Sequence, residues 1–447
     1  MASTSSSATC SPSTKAAGRF STGSSDIEPV HYVVVTIGSA GDLFPFLALA
    51  RALRARGHRV SFLAPEQHGP WMRPTGLPFT GLPADEAVLH DPDLWHPTRG
   101  FGVVWRATRP AMACIVPFVE ALPAHERCVL LVHPLALPEA DLCRAVHPGV
   151  KIAAAYLAPA NLMTVHDPLM IGPWRVPAWV PLAARRAFWR WVGKRFIDPV
   201  ALADVNAART AHGLAPVETL MDWIATVPDL SLTLFPAWFA PTQPDWPRPL
   251  VRGDFPLFDP NADPNADAPL APELIAFLQA GTPPLVFTHG TGNTQAAAYF
   301  RHARAAVERL GRRAIFLTPH RDQVPADLPP AMLWQAYVPL RALLPRAAAL
   351  IHHGGIGTTA EALRAGTPQL VVPLAHDQFD NGARVTALGV GASLPAARLN
   401  ERRLVRALGA LLAAPGLDER TRAVAGRFVE GAGVASMCAA LEGLART

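Results

Sequence analysis

Residues 31–65 read HYVVVTIGSAGDLFPFLALARALRARGHRVSFLAP, and this stretch decides the fold. Its first eight residues are an apolar run of strand length that leads into a tight Ser-Ala-Gly-Asp segment. The following residues predict a helix, with Pro45 near its first turn and Gly57 just past its end. Residues 59–65 predict a second strand. A strand, a glycine loop, a helix and a strand in this order form a βαβ unit, which implies a parallel sheet.

The same alternation continues through the rest of the chain. Further strand-like runs begin at Cys128 and Leu230, and residues 348–366 again predict a strand, a glycine loop and a helix. Residues 257–270 are rich in Pro, Asp and Asn, which is typical of a linker. We therefore predict four segments: a disordered tail at 1–29, a Rossmann-like α/β domain at 30–256, the linker at 257–270, and a second Rossmann-like domain at 271–447, whose last helix packs back on the first domain. Two such domains leave a cleft between the carboxyl ends of their sheets, where ligands bind in open α/β folds.

Composition narrows the functional classes. The 447 residues are 50% apolar and 17% charged, which allows sizeable cores, and nearly all basic residues behind the net charge of +5 are Arg. No basic block or basic-aromatic ladder is present, so we predict no nucleic-acid partner. The five cysteines lack any CxxC spacing, which argues against a disulfide framework or structural zinc and fits a reducing cytoplasm. Because no apolar run approaches the ~20 residues that cross a bilayer, we expect a cytoplasmic protein, soluble or peripheral at the membrane.

The strongest local signal for binding is HHGGIGTT at residues 352–359. Glycines at a strand end let the backbone approach a ligand, and the next helix presents unpaired N–H groups and a positive dipole end, which suit a diphosphate. His353 and Thr358 are candidate donors to phosphate oxygens. Thr358 and Glu361 also match a capping box, which needs no ligand, and the loop alone does not decide between the two. Since His352 and His353 are adjacent and point to opposite faces of a strand, we expect no metal site.

Two further strand ends carry polar side chains toward the predicted cleft. Asp42 follows the first strand, where a carboxylate can take a proton from an acceptor hydroxyl or can N-cap a helix starting near residue 43 or 44. Asp377 and Gln378 follow a strand of the second half and can bind sugar hydroxyls or cap the next helix. The segment Thr288-His289-Gly290-Thr291 is a second candidate phosphate loop.

Residues 173–196, PWRVPAWVPLAARRAFWRWVGKRF, combine basic and aromatic side chains. As a helix, this stretch places one face of basic residues (Arg186, Arg190, Lys194) beside another of apolar ones (Trp189, Val192, Phe196). The pattern is typical of an interfacial membrane helix or of a wall around a lipid-like acceptor. A helix that buries its aromatic side chains while its arginines face water has the same pattern, and we favour this simpler interpretation.

Taken together, these residues resemble family 1 nucleotide-sugar glycosyltransferases, an inverting group with the GT-B fold, over roughly residues 31–440. The most specific part is a donor signature, in which YVPLRALLP, LIHHGGIGTTAEALRAGTPQLVVP and HDQFDN follow in order between Tyr337 and Asn381. The resemblance implies that the diphosphate contacts His353, Thr358 and the backbone of 355–357. It also implies that the ribose contacts Glu361, the base stacks on Tyr337, and the sugar contacts Asp377 and Gln378. The full set of predicted donor-binding residues is Thr288, Gly290, Thr291, Tyr337, Val338, His353, Gly355, Gly357, Thr358, Glu361, Asp377 and Gln378.

In the N-terminal half, GSAGDLFP resembles the GSxGD loop of bacterial and sterol-type members, whose Asp is the proposed general base. The resemblance implies that Asp42 is the catalytic residue. Many plant members place a His in this loop and orient it with a separate Asp, and because this loop has no His, that dyad is not carried over. Acceptor contacts are implied for the loop and for the Trp-rich segments beyond it: Ser39, Ala40, Gly41, Trp95, Phe101, Trp105 and Trp174.

Within this family the chain is similar to the rhamnosyltransferases of bacterial rhamnolipid synthesis, through DPDLWHPTRGFGVVW at 91–105, LFPAWFAPTQPDWPRPL at 234–250 and GDFPLFD at 253–259. This similarity implies dTDP-L-rhamnose as the donor and a lipid-like 3-(3-hydroxyalkanoyloxy)alkanoate as the acceptor, without a cofactor. Peripheral membrane contact and association with the acceptor-synthesising enzyme remain open. The alternatives are a transferase of UDP-glucose to a sterol or polyketide, a non-catalytic sugar-nucleotide-binding subunit, and a nucleotide-sugar epimerase.

Overall fold

Two parallel sheets organise the computed structural model, which describes residues 29–167, 170–258, 270–290 and 293–447. The strands are β1 (His31–Val35), β2 (Arg59–Pro65), β3 (Phe79–Leu82), β4 (Cys128–Val132), β5 (Lys151–Tyr156), β6 (Met170–Ile171), β7 (Trp174–Arg175), β8 (Leu230–Thr233), β9 (Leu250–Arg252), β10 (Leu285–Thr288), β11 (Ala314–Leu317), β12 (Met332–Gln335), β13 (Ala349–His352), β14 (Gln369–Val371) and β15 (Gly391–Ser393). The first sheet has the order β3-β2-β1-β4-β5-β8-β9, and the second has the order β12-β11-β10-β13-β14-β15. Strands β6 and β7 form a separate antiparallel hairpin.

Helices connect the strands of both sheets. They are α1 (Ala40–Ala55), α2 (Gly69–Met72), α3 (Gly100–Met112), α4 (Ile115–Glu120), α5 (Leu137–Val146), α6 (Leu182–Val192), α7 (Asp198–Ala211), α8 (Leu220–Ile224), α9 (Pro272–Gln279), α10 (Ala297–Leu310), α11 (Leu340–Leu343), α12 (Ile356–Ala365), α13 (Gln378–Ala387), α14 (Glu401–Leu412), α15 (Leu417–Ala425) and α16 (Ala432–Leu444). A π-helical turn, Gly193–Ile197, joins α6 to α7. None of the helices in the described ranges is long and apolar enough to cross a membrane.

Each sheet has an apolar core on both faces. Every residue of β1, β4 and β8 is buried, which is typical of parallel strands covered by helices on both sides. Side chains alternate between the two cores, since Val33 and Val35 join one apolar cluster while Val34 joins another. In the second sheet, Phe287 and Val286 face two separate clusters in the same way. The predicted α/β class with two Rossmann-like halves is therefore confirmed.

The last helix packs on the N-terminal half. Helix α16 contacts α1, β8 and β9, and it buries Met437, Cys438 and Leu441 in the apolar cluster that also contains Leu43. Its Glu442 accepts hydrogen bonds from Arg56 at 2.6 and 2.8 Å and pairs with Nε2 of His58 at 3.0 Å. The Arg56 hydrogen bond lowers the pKa of Glu442 to about 2. The predictions of a tail at 1–29 and a linker at 257–270 fall almost wholly outside the described residues.

Candidate active site between the two sheets

Both sheets have a topological switch point, where the chain leaves adjacent strands in opposite directions. In the first sheet the switch lies between β1 and β4, and in the second it lies between β10 and β13. A crevice opens at the carboxyl ends of the strands at such a point, and ligands bind there in open α/β sheets. The residues that follow these four strands therefore define the candidate site.

The loop after β1 holds Asp42 in a reciprocal cap. The backbone N–H and the hydroxyl of Ser39 donate to Oδ2 of Asp42 at 2.7 and 3.0 Å, while Gly41 N–H donates to Oγ of Ser39 at 3.3 Å. A Cβ on Gly38, whose φ is 119°, would lie 2.4 Å from that same carboxylate oxygen. The loop thus requires glycine at 38 and fixes the position of the carboxylate.

The start of α1 corrects one sequence expectation. The helix begins at Ala40 with Ser39 as its N-cap, so Asp42 is the third helical residue and not the N-cap of a helix starting at 43 or 44. Pro45 accordingly lies inside the helix rather than in its first turn. The three residues predicted to contact the acceptor here, Ser39, Ala40 and Gly41, lie directly beside the carboxylate.

Two histidines from the same half are electrostatic neighbours of Asp42. His133 follows β4, and its Nδ1 accepts a hydrogen bond from Leu135 N–H at 3.2 Å, so the proton of the neutral ring is on Nε2. Burial lowers the pKa of His133, and the Asp42 carboxylate partly opposes this shift. His68 contacts the backbone oxygen of Gly38 at 2.9 Å through Nε2, and burial lowers its pKa as well.

Sequence reasoning missed both histidines. A signal for His133 was present, because it directly follows the apolar run at 128–132, just as Asp42 follows that of β1. No comparable signal marks His68, which reaches the loop from the segment after β2.

In the second half, the loop after β13 leads directly into α12. Gly355 is the N-cap of this helix and makes no side-chain cap hydrogen bond, so the first-turn N–H groups are not capped by a side chain. The alternative capping box is wrong, because Thr358 lies within the first turn and Glu361 accepts from Arg364 at 2.8 and 3.1 Å. Gly357 lies in the same turn. The helix start therefore has the properties of an anion-binding site.

Three histidines meet at this edge of the second sheet. His352 is fully buried and uses both ring nitrogens, since Nδ1 accepts from Gly354 N–H at 3.2 Å and Nε2 donates to Gln369 at 3.0 Å. The ring of His353 lies against Gly290, whose φ is 86° and where a Cβ would lie 3.0 Å from Cε1. His289 stacks on Tyr299 with ring centroids 4.4 Å apart.

All three imidazoles are neutral near pH 7. Burial lowers the pKa of His353 to about 4 and those of His289 and His352 to about 3. A neutral ring can donate one N–H to a ligand oxygen but contributes no positive charge. The rings of His352 and His353 are 6.3 Å apart and nearly perpendicular. In the described part of the chain, no group of three or more His, Cys, Asp or Glu side chains is arranged to hold a metal ion.

Asp377 and Gln378 form a second wall of this crevice, directly against Gly354, where a Cβ would lie 3.0 Å from the backbone oxygen of Gln378. Asp377 occupies the N-cap position of α13 without making a side-chain cap hydrogen bond, and its Oδ2 accepts from Asn381 at 2.8 Å. Burial raises the pKa of Asp377 to about 7, the Asn381 hydrogen bond opposes the shift, and the charge of Asp42 adds to it. Gln378 accepts from the backbone N–H of Leu374 at 2.8 Å, which fixes its side chain.

The ring contact between Trp95 and His376 brings the two crevices together, and the electrostatic interaction between Asp377 and Asp42 agrees with it. The residue before Asp377, His376, has a φ of 56°, which residues other than glycine rarely adopt. Its ring lies 5.7 Å from that of Trp95, centroid to centroid, and it too is an electrostatic neighbour of Asp42. The candidate site thus combines one carboxylate from each half.

A buried ion pair joins the halves beside this wall. Arg384 of α13 contacts Oδ2 of Asp167 at 2.9 Å and Oδ2 of Asp380 at 2.8 Å, and it also donates to the backbone oxygen of Phe239 at 3.3 Å. Asp167 and Phe239 belong to the first half. These contacts fix α13, which begins beside Asp377, against the N-terminal half.

The remaining predicted donor residues lie around the same edge. Tyr337 is 42% exposed, and its ring lies 6.0 Å from that of Trp71 in the first half, a neighbour that sequence reasoning missed. Val338 and Thr288 are buried. Thr291 lies outside the described residues.

The predicted acceptor-binding aromatic residues do not all reach the cleft. Trp95 is half-buried beside His376, and Phe101 is half-buried with its ring 6.0 Å from Trp105. Trp105 is only 1% exposed and donates to Asp204 at 3.2 Å, so it is a core residue and presents no surface to an acceptor. Trp174 lies on the β6–β7 hairpin and is 73% exposed at the protein surface.

Comparison with known proteins identifies both halves. Residues 32–113 match the model of the glycosyltransferase family 28 N-terminal domain, and residues 312–433 match that of the erythromycin biosynthesis protein CIII-like C-terminal domain. The chain is 31% identical to glycosyltransferase GtfE of Amycolatopsis orientalis, over 90% of this chain and 95% of that protein. It is 29% identical to the O-mycaminosyltylonolide 6-deoxyallosyltransferase of Streptomyces fradiae, over 93% and 97%. The solved structure of the glycosyltransferase of kitacinnamycin superposes with a TM-score of 0.71 at 20% identity, over 93% of this chain and 99% of that one.

Proposed function

Because this chain belongs to the glycosyltransferase family of these relatives, which transfer sugars from nucleotide donors, we propose a specific reaction for it. The enzyme moves L-rhamnose from dTDP-L-rhamnose to the hydroxyl of a 3-(3-hydroxyalkanoyloxy)alkanoate. The observation that carries the transferase chemistry is the pair of facing crevices, with Asp42 on one side and the uncapped start of α12 on the other. The choice of rhamnose and of a lipid acceptor is supported by the sequence segments at 91–105 and 234–250.

The donor diphosphate binds at the start of α12. Free first-turn N–H groups and the positive end of the helix dipole stabilise negative charge, and the hydroxyl of Thr358 lies in the same turn. His353 donates a single N–H from a neutral ring. The charge that develops on the leaving group is therefore stabilised mainly by the helix end. Tyr337 stacks on the base, Glu361 contacts the ribose, and the sugar lies against Asp377 and Gln378.

The acceptor hydroxyl approaches from the Asp42 side. Its oxygen attacks the anomeric carbon as the bond from that carbon to the diphosphate oxygen breaks, so the configuration inverts. The hydroxyl proton passes to Asp42, and thymidine diphosphate leaves with the bonding electron pair. An Asp is a weak base, so it acts once the attacking oxygen has begun to bond, and much of the rate comes from positioning.

His133 is a positioning residue in this scheme. Its ring is buried and neutral, with the proton on Nε2, and it is an electrostatic neighbour of Asp42. The two groups interact electrostatically, and a His133 N–H directed at the carboxylate in the working complex stabilises the ionised form that acts as a base. The Ser39 cap holds the other side of the same carboxylate.

The test is a product assay. Purified protein is incubated with dTDP-L-rhamnose and a 3-(3-hydroxyalkanoyloxy)alkanoate, with EDTA and no added metal, and the lipid fraction is analysed by mass spectrometry. We expect a rhamnosylated lipid. Turnover of UDP-glucose on a sterol or polyketide, with no rhamnosylated lipid, would discard the rhamnolipid assignment and keep the class. A folded protein that is silent with every donor would favour the non-catalytic subunit, and a changed sugar nucleotide without an acceptor would identify an epimerase.

A further inference from the structure

Exposed apolar side chains are concentrated in one segment of the N-terminal half. Within the described residues, most of the exposed large hydrophobic side chains fall between residues 171 and 191. We refer to these five side chains as the tryptophan surface: Ile171 (40% exposed), Trp174 (73%), Trp179 (82%), Leu182 (38%) and Trp191 (54%). Exposed apolar side chains of this size, concentrated in one segment of the chain, indicate an interaction surface rather than ordinary solvent-facing residues.

The charged side chains around this surface are all positive. No Asp or Glu occurs from residue 168 to residue 197. Five basic side chains in the same segment are exposed: Arg175, Arg186, Arg190, Lys194 and Arg195. Among the described residues, none of these five forms an ion pair with a carboxylate. The segment therefore presents Trp side chains beside positive charges that have no carboxylate partner within the described chain.

The surface is held rigidly by a buried arginine. Arg185 donates to the backbone oxygens of Val180, Pro177 and Ala178 at 2.8–3.0 Å, which fixes the loop bearing Trp179 against α6. It also donates to the oxygen of Val165 at 2.9 Å. A buried guanidinium used in this way pre-organises the loop that bears Trp179, so little conformational entropy is lost there when a partner covers it.

The sequence analysis favoured simple burial of the aromatic side chains of this segment, and the inner face of α6 agrees with that interpretation. Trp189 is half-buried and donates to the oxygen of Thr164 at 3.2 Å, and Val192 and Phe196 are half-buried beside it. The burial interpretation is therefore right for that face. It does not account for Trp174, Trp179 and Trp191, which lie outside it, with Trp191 in ring contact with Phe196 at 5.5 Å.

We propose that the tryptophan surface and its five basic neighbours dock the enzyme on an anionic lipid bilayer. Tryptophan side chains partition to the headgroup level of a bilayer, and Lys and Arg beside them are attracted to anionic headgroups. The absence of any acidic residue across thirty consecutive positions fits a uniformly negative surface. The inference does not depend on the donor or on the catalytic role of Asp42, and of the residues assigned to the acceptor only Trp174 belongs to this surface.

The test is sedimentation with sucrose-loaded vesicles in the absence of substrate. The full chain is expected to sediment with vesicles of phosphatidylcholine containing about 30% phosphatidylglycerol, and to be released when NaCl is raised to about 0.5 M. Phosphatidylcholine vesicles alone are expected to bind on the order of tenfold less. Equal binding to both vesicles without salt dependence would overturn the electrostatic basis of the proposal, and no binding to the anionic vesicles would overturn the proposal itself.

Two double variants locate the binding face. Trp174→Ser with Trp179→Ser, and Arg186→Gln with Arg190→Gln, are each expected to weaken binding on the order of tenfold. The matched control is Arg402→Gln with Arg406→Gln, which removes the same charge from exposed positions of α14 and should bind as the wild type does. Thermal melting checks that each variant is folded. If both folded variants of the surface bind like the control, the assignment is refuted, and a concentration-dependent dimer that the Trp variant abolishes would assign the surface to a second copy of the chain.

Discussion

Replacing Asp377 by Asn should make the protein more stable at neutral pH while making it a poorer enzyme. Burial raises the pKa of this carboxyl to about 7, from an ordinary value of 3.8. An ionised Asp377 is therefore unfavourable in the folded state. The destabilisation begins as the pH rises above the unfolded pKa of 3.8 and is complete above the folded value of about 7. Asn has no charge, can still pair with Asn381, and escapes this effect.

The magnitude follows from the shift. Three pKa units correspond to at most about 4 kcal/mol, and since the side chain is only half-buried we expect about 2 kcal/mol at pH 8. For a C-terminal half that unfolds as a unit, this is a rise in Tm of roughly 4 to 8 °C. The difference between variant and wild type should shrink toward zero as the pH falls to 4.

The assay is thermal melting of both proteins between pH 4 and pH 8, with turnover measured on the same samples. Turnover is expected to fall at least ~10-fold, because the sugar loses a charged hydrogen-bond partner. The matched control is Glu419→Gln, an exposed carboxylate whose removal should change stability by less than about 0.5 kcal/mol. An Asp377→Asn protein that is no more stable at pH 8, or whose advantage grows in acid, would refute the reasoning about its environment.

Three further substitutions test other parts of the structure. Glu442→Gln should lower the free energy of unfolding by about 1–2 kcal/mol in urea titrations, because Arg56 loses its charged partner. This destabilisation should be present above pH 4.5 and disappear as the pH falls toward 2, and a destabilisation that does not change with pH would contradict the role of the Glu442 charge. Thr358→Val should weaken thymidine diphosphate binding about tenfold by calorimetry, since one donor at the helix start is lost; unchanged affinity would move the diphosphate elsewhere. His133→Asn keeps an acceptor for Leu135 N–H but removes the Nε2 proton, so we expect turnover to fall about tenfold with unchanged nucleotide affinity, and a change in affinity alone would remove His133 from its positioning role.

Much of the fold could be predicted because it is specified locally. Apolar runs at 31–35 and 128–132 are long enough for strands and are buried throughout, and glycines at 354 and 355 mark the turn into α12. The repeated strand–helix–strand order also predicts parallel sheets, whereas the order of the strands within each sheet is set by long-range packing. The site at the carboxyl ends could be predicted from the same rule.

The start of α1 was predicted less accurately, because the local sequence signal from Pro45 placed the first turn too late. Pro45 favours the first turn of a helix, whereas the reciprocal cap between Ser39 and Asp42 starts the helix at Ala40. The S-x-x-D pattern was present in the sequence. Whether this pattern or the proline decides the helix start depends on how tightly the loop turns at Gly38, which only the structure shows.

Two other features could not be predicted from the sequence: which tryptophans are buried, and which distant segments contact the site. The helical period correctly separates Trp189 from the basic face of α6. It does not predict the exposure of Trp174, which lies on a hairpin, or the burial of Trp105 in the core. His68 and Trp71 approach the site from the segment after β2 through long-range packing. No local pattern encodes such contacts.

The most direct test of the account is the single-turnover rate of Asp42→Asn with both substrates saturating, beside its affinity for thymidine diphosphate. Asn preserves the size of the side chain and can still accept from Ser39 N–H, so the helix cap should survive. If Asp42 is the base, the rate falls at least ~100-fold while nucleotide affinity and Tm stay close to those of the wild type. A near-normal rate in a folded variant would return Asp42 to the role of a helix cap and contradict the proposed mechanism.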